Sequence, residues 1–305
     1  MASPVATAQQ YPAKPLRFIV PFSAGSGSDT IARIVSTALP EAIGQQVIVD
    51  NRAGAAGNIG AELAAKAPPD GYTVMLAILG HAANVTLYKN LTYDLVRDFA
   101  PVTQLASTPS ILVVHPSLPA KSVGELVSLA RSKPSAINYS SGGVGTPTFI
   151  AGELFKLHAK IDMLHVPYRA GGEALTAVLS GETSVYLAPI APALPHVKSG
   201  KLRALAVTSR SRLPILQDLP TVAESGYKGF QTGNWYGLVV PARTLPEIVT
   251  ALNKAVVTVL RHPTVNKRLT DSGYLVIGDT PQQFTAHIKA EIENLGRILK
   301  DVKVE

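Results

Sequence analysis

Cysteine is missing altogether from this 305-residue chain. Its absence excludes a disulfide scaffold, a thiolate zinc ribbon, an iron–sulfur site and a cysteine nucleophile. It does not fix the compartment, because a chain this long builds a core that needs no cross-links. Aromatic residues make up only 6% and charged residues only 16%, against 46% hydrophobic. So little charge with so much apolar content excludes a disordered chain. Long apolar runs are lacking too. The best candidate for a membrane span, Thr73 to Leu79, is soon broken by Gly80, His81 and Asn84. A span requires roughly 18 apolar residues. The chain reads as soluble and globular, and its length suits about two domains.

Metal and nucleotide signatures are equally scarce. His81, His115, His158, His165, His196, His262 and His287 are scattered, and none forms HExxH or another close ligand pair. Neither a metal site nor a catalytic set is expected from them. His81 alone stands just past the end of a strand-like run, which makes it a cleft candidate or a capping histidine. Gly25-x-Gly27 meets Thr30, and Gly143-x-Gly145 meets Thr148, where a dinucleotide fingerprint needs a third glycine. Neither GxxxxGKS nor GxxxxGKT occurs, and there is no GxSxG elbow. No cofactor is expected. Lys and Arg outnumber Asp and Glu 28 to 21, a formal net charge of +7. These cations are spread along the chain rather than clustered beside aromatics, so nucleic acid is not an expected partner. A basic surface aids solubility and suits an anionic small molecule.

What the chain does have is alternation of strand-like and helix-like segments. Leu16 to Pro21 is a short run rich in β-formers. Ile31, Ile34, Val35, Ala38 and Leu39 then fall on one helical face. Val47 to Val49 and Thr73 to Leu79 read as strands, with a helix between them ending at Pro68-Pro69-Asp70-Gly71. This βαβαβ pattern implies a parallel sheet with right-handed crossovers. The pattern repeats from Ile111 to Val207, with a capping box expected at Ser122 and Glu125. A final block from Tyr236 holds two helices and one short strand, Leu275 to Ile277, too little for a core of its own. It is therefore assigned to the first unit. The expected organisation is residues 11–107 plus 231–305 as one discontinuous domain and 108–230 as the second. Two α/β lobes joined by two crossings make a hinge with a ligand cleft between them. Trp235, at the second crossing, packs there or reports closure. Ala6-Thr7-Ala8 matches the A-x-A pattern of an export signal, so residues 1–10 read as the tail of a removed one.

Three glycine-rich turns each join a strand to a helix: Phe22 to Asp29, Ser140 to Thr146, and Pro167 to Gly172. Such turns lie at the carboxyl ends of strands in an open α/β sheet, where ligands bind. Glycine admits close approach, and helix N-termini add unpaired N–H donors with partial positive charge. Two such turns facing each other would grip a molecule with two carboxylates; the plainer reading is ordinary strand-to-helix turn chemistry. Asp29 reads as support for its loop, because a free carboxylate would repel an anion. Arg169 has two readings, as a partner for a ligand carboxylate or as a surface or interlobe ion pair.

The segments VPFSAGSGSDTIAR, NRAGAAGNIGAELAAKAPPDGYTVM, YSSGGVGTPTFIAGELF, HVPYRAGGEALTAVLSGE and GKLRALAVTS resemble, in order, the signatures of the Bug-type periplasmic receptors of tripartite tricarboxylate transporters. The resemblance covers almost everything after Tyr11. It implies a two-lobed periplasmic-binding-protein fold of Venus-flytrap type, a monomer that closes on a small carboxylate and delivers it to a membrane permease. It implies binding roles for Phe22, Ser23, Ser26, Gly27 and Ser28 in the first turn. Ser141, Gly143, Val144, Gly145 and Thr146 would act from the second lobe, with His81 and Asn84 lining the cleft. The family is generally non-enzymatic. Ala24-Gly25-Ser26 stands where the family usually has Pro-Gly-Gly. Phe149 stands where a histidine is common, which points to an apolar, even aromatic, ligand body. Ala177 replaces a frequent acidic residue. A sensor for a signalling partner, or a cleft enzyme using His81 as base, are the competing readings.

Overall fold

The computed structural model describes residues 11–300, so the tail at 1–10 lies outside the described residues. In chain order its strands are β1 (Leu16–Val20), β2 (Val47–Asn51), β3 (Thr73–Ile78), β4 (Phe99–Val114), β5 (Asn138–Ser141), β6 (Leu164–Pro167), β7 (Val185–Pro189), β8 (Arg203–Val207), β9 (Gly233–Pro241) and β10 (Leu275–Val276). Its α-helices are α1 (Gly27–Ile43), α2 (Asn58–Ala65), α3 (Leu79–Leu87), α4 (Val123–Ser132), α5 (Pro147–Ala159), α6 (Gly171–Ser180), α7 (Ile190–Lys198), α8 (Pro246–Arg261), α9 (Pro263–Asp271) and α10 (Pro281–Leu299).

The first lobe follows from the opening pattern. β1 pairs parallel with β2 and with β3. β3 is buried at every position, as a strand covered on both faces must be. α1 buries Ile31, Ile34, Val35 and Leu39 on its expected face, and Gly44 closes it in the left-handed conformation at φ 71°. In the second lobe β5 pairs parallel with β6 and with β7. Ser122 caps α4 by accepting the Glu125 N–H at 3.1 Å, but the Glu125 carboxylate takes the N–H of Lys121 instead of that of Ser122. The expected box is therefore half formed. At α10 the box is complete, with Thr280 and Gln283 each accepting from the other's backbone.

Two elements depart from the sequence reading. The chain enters α3 directly from β3, in a stretch read as the end of a strand. Its Leu79, Gly80, His81, Ala82, Ala83, Asn84 and Leu87 are all buried. A helix buried nearly all round has no polar face, so it shows no amphipathic period. β4 is 16 residues long, although only Ile111 to Val114 read as strand. Pro101 and Pro109 and two register shifts interrupt its pattern.

β4 joins the lobes. From Phe99 to Pro109 it pairs antiparallel with β9, and β10 pairs with it at Ser107 and Ala106. From Ser110 to Val114 it pairs with β7 and from Ile111 with β8, in the other sheet. The chain returns through Thr232 and Gly233. A Cβ at Gly233 would stand 2.5 Å from the Thr108 carbonyl oxygen, so the two crossing strands touch backbone to backbone there. Thr208, fully buried, ties them. Its hydroxyl accepts the Ser110 N–H at 2.7 Å and donates to the Thr232 carbonyl at 2.6 Å. Behind the crossing, Ala83 and Leu87 of α3, Ile150 and Leu154 of α5, and Phe284 and Ile288 of α10 share one apolar cluster.

Thr208→Val keeps the side-chain shape but leaves a buried N–H and a buried carbonyl without partners. Urea unfolding is expected to show a loss of about 2–4 kcal/mol. Thr258→Val, which loses a hydroxyl bond to a backbone carbonyl on the exposed face of α8, should stay within about 0.5 kcal/mol. Equal effects would remove Thr208 from the crossing's supports.

Candidate functional site

The first turn is built by its N-cap and its acid. Ser26 caps α1, its hydroxyl accepting the Asp29 N–H at 3.2 Å. Gly25 sits at φ 80°, and its N–H donates to the Asp29 carboxylate at 2.9 Å. The same buried carboxylate accepts from Arg33 at 2.8 Å and from Asn51 at 3.0 Å, while Asn51 also donates to the Phe22 carbonyl at 3.0 Å. Burial alone would raise the Asp29 pKa, but the hydrogen bonds from Arg33, Gly25 and Asn51 outweigh it and hold the carboxyl below its ordinary value. Asp29 thus faces its own loop as an anion already neutralised. The Gly27 and Ser28 amides take no acceptor among the described residues, as the first turn of a helix requires.

The floor is α3 with the turn before α2. Gly54, Ala55, Ala56 and Gly57 all have positive φ, at 129°, 47°, 54° and 90°. Two left-handed alanines in sequence are strained, and such strain persists where neighbours hold it. Asn84 is one of them: its Nδ2 donates to the Ala56 carbonyl at 3.3 Å and to Asn58 at 2.7 Å. Asn84 is fully buried, and its Oδ1 finds no partner among the described residues. His81, also fully buried, accepts the Ile78 N–H on Nδ1 at 3.0 Å. That bond puts the imidazole proton on Nε2, which lies against Gly57 without a hydrogen bond of normal geometry. Phe22 packs edge-on against the same ring at 5.9 Å. Burial lowers the His81 pKa from 6.5 to about 4.

The second turn approaches from the other lobe. Thr146 caps α5, its hydroxyl accepting weakly from Phe149 N–H at 3.4 Å and donating to the Gly143 carbonyl at 2.6 Å. Thr148 accepts the Gly142 N–H at 3.0 Å, and Ser141 Oγ accepts the Gly143 N–H at 3.1 Å while lying 2.7 Å from His165 Nε2. The Val144 and Gly145 amides have no acceptor among the described residues. Gly145, at φ 80°, meets the first lobe: a Cβ there would stand 3.1 Å from Asn84 Oδ1, and a Cβ on Gly80 would stand 3.1 Å from the Gly145 carbonyl oxygen. The third turn packs on the second, with Tyr168 N–H donating to the Ser141 carbonyl at 2.9 Å. No cluster of metal-ligating side chains occurs among the described residues. A hollow of about 730 Å3 between Leu202 and Leu219 shares no residue with these turns.

Two lobes that meet where the Gly145 turn lies against α3 are the decisive observation. A model of the tripartite tricarboxylate transporter family receptor matches residues 31–304. The chain belongs to this receptor family. It is 31% identical over 303 residues to protein BugT of Bordetella pertussis, spanning 99% of this chain and 93% of that one. It superposes at a TM-score of 0.86 and 35% identity on R. palustris Rpa4515, described with adipate, over 95% of this chain and 97% of that one. MatC of Rhodopseudomonas palustris, with bound malate, matches at TM-score 0.84 and 32% identity over 95% and 100%. These likenesses show the two-lobed fold of the Bug-type periplasmic receptors.

In this receptor Gly27, Ser28, His81, Asn84, Val144, Gly145 and Thr146 lie on the elements that converge. Ser23 is exposed and Ser26 half-buried on the first turn. Ser141 serves Gly143 and His165. Phe149 is only 3% exposed and packs on His165, ring centroids 4.9 Å apart. Its place gives the aromatic-ligand argument no support. Arg169 is exposed, its N–H donating to Glu173 at 3.2 Å. Trp235 packs edge-on against Phe284 and His287 of α10. Asn58 and Asn51 went unremarked in the sequence, and His165 and Thr148 were noted there without a site role, since single polar residues carry no spacing signal.

Unfolding returns His81 to its ordinary pKa, where it takes up a proton that the folded protein refuses. Its contribution to stability is therefore whole above pH 6.5 and is lost as pH falls toward 4. In His81→Asn the replacement amide oxygen can still accept the Ile78 N–H, but nothing there titrates. The stability gap between wild type and variant should narrow by about 2 kcal/mol from pH 7 to pH 5, at about 1.4 kcal/mol per pH unit. A gap that is the same at both pH values in urea unfolding would contradict this reading of His81.

Proposed function

We propose that this chain is an extracytoplasmic receptor that closes on a small dicarboxylate and delivers it to a permease of the tripartite tricarboxylate type. The reading rests on two turns, one on each lobe: the Gly27 and Ser28 amides of the first and the Val144 and Gly145 amides of the second take no acceptor among the described residues, and the lobes are in contact at Gly80 and Gly145. The first pair lies in the first turn of α1 and the second just before the Thr146 cap of α5, near helix N-termini whose partial positive charge favours an anion. The relatives described with adipate and malate are consistent with acid groups as ligands. The overall charge of +7 favours approach of an anion.

The protein acts as a monomeric binder in the periplasm and not as an enzyme. The best candidate base argues against catalysis: His81 holds its proton on Nε2, accepts a backbone N–H on Nδ1, and has a pKa lowered to about 4. Such a ring is neutral at pH 7 and has no free lone pair to take a proton.

Calorimetry with adipate, succinate, malate and benzoate at pH 7 tests this. At least one dicarboxylate should bind with a Kd at or below about 10 μM, roughly 7 kcal/mol of binding free energy, and benzoate more weakly. Arg169→Ala should change that Kd by less than about threefold. Gly145→Ala should raise it at least tenfold, because its Cβ presses on Asn84 Oδ1 and strains a left-handed residue. No binding by any acid would end the receptor reading; lost affinity in Arg169→Ala would move the anion from amides to a side-chain cation.

A further inference from the structure

β9 carries two polar side chains with no ligand role, and both leave the strand toward the binding turns. Asn234 is the first. Its Oδ1 accepts the Leu79 N–H at 3.2 Å, across 155 residues of chain. Leu79 opens α3, and the residue at that helix's N-cap position is Ile78. Isoleucine has no side-chain acceptor, so the capping role falls to another residue. Asn234 fills it from the strand that crosses between lobes. The helix it caps carries Gly80, His81 and Asn84, the residues that meet Gly145 and the strained turn before α2.

Tyr236 is the second. Its hydroxyl stands 3.2 Å from where a Cβ on Gly27 would be. The Thr108 hydroxyl of β4 faces it at 3.5 Å. Its ring packs edge-on at 5.4 Å against Tyr274, whose hydroxyl donates to the Gly27 carbonyl at 2.6 Å. Tyr236 is 6% exposed, and burial raises its pKa. The hydroxyl therefore stays protonated at neutral pH. Asn234 is paired with Thr108 in the β4–β9 ladder, one step before Gly233 and Pro109, the last pair before β4 joins the other sheet. Both side chains thus start where the strands must bend for the lobes to move.

We propose that Asn234 and Tyr236 are positioning residues of the closing cleft. Asn234 fixes the N-terminus of α3, Tyr236 supports the Gly27 turn, and bending of β4 and β9 moves both together. The inference rests on the receptor reading for its binding arm only.

Amide hydrogen exchange of the ligand-free protein tests the contacts without any ligand. Asn234→Ala should speed exchange at Leu79 at least tenfold, and Asn234→Asp, which keeps an acceptor, should restore it. Tyr236→Phe should speed exchange at Asp29 and Thr30, whose N–H groups donate to Ser26 in the same turn. Calorimetry with adipate and with malate then tests positioning. Asn234→Ala and Tyr236→Phe should each raise the Kd about fivefold or more at 25 °C, well below their melting temperatures. Tyr11→Phe is the control, since it removes a comparable bond, to the Gly71 carbonyl at 2.7 Å, and should leave the Kd within twofold. Wild-type exchange at Leu79 in Asn234→Ala, or unchanged Kd values in both β9 variants, overturns the proposal. If the wild type binds neither acid, the receptor reading fails by itself. The exchange arms then decide alone whether β9 positions the two turns.

Discussion

The antiparallel pairing of β4 with β9 is the constraint on which the rest of the structure depends. It runs from Phe99 opposite Pro241 to Pro109 opposite Gly233, after which β4 passes into the other sheet. Every strand of the second lobe is reached through that passage and the return at Thr232. A backbone contact at Gly233 and a buried hydroxyl at Thr208 keep the two crossings together. Two adjacent crossings are the geometry of a hinge, about which two lobes can rotate.

What those turns offer is the backbone itself. Ser26 and Thr146 satisfy one amide each as caps, while the Gly27, Ser28, Val144 and Gly145 amides take no acceptor among the described residues. Asp29 and Arg33 neutralise each other behind the first turn, and Asn51 pins that pair to the Phe22 carbonyl. The site therefore presents partial positive charge without a mobile cation. Fixed dipoles need no reorganisation when an anion arrives, and water exclusion on closure strengthens them. The glycines at 80 and 145 serve the same end, since side chains there would hold the lobes apart.

Much of the fold was legible in the sequence because its elements obey simple periods. β1 and α1 announce themselves by β-formers followed by Ile31, Ile34, Val35 and Leu39 on one face. The family segments were legible for a different reason, since their glycines and hydroxyls recur in order. α3 was not legible, because a helix of small residues buried on nearly all sides has no polar face. Most of β4 was hidden by its prolines and register shifts. Within the candidate site, the glycine-rich turns carrying Ser26 and Thr146 were legible, but their capping bonds and the role of Asn234 were not. Its partner lies 155 residues away, and one asparagine in a strand carries no local signal. Phe149, a departure from a familiar motif read as specificity, is buried and packs against His165.

The central claim is that uncharged backbone donors on opposed lobes trap the two ends of an acid. A crystal structure of the protein grown with adipate measures this most directly. The account predicts one carboxylate at the Gly27 and Ser28 amides and the other at the Val144 and Gly145 amides, directly or through one ordered water each, with no Lys or Arg side chain within hydrogen-bond distance. A ligand paired with Arg169 or any other cation, or lodged away from the seam between Ser28 and Gly145, would contradict it.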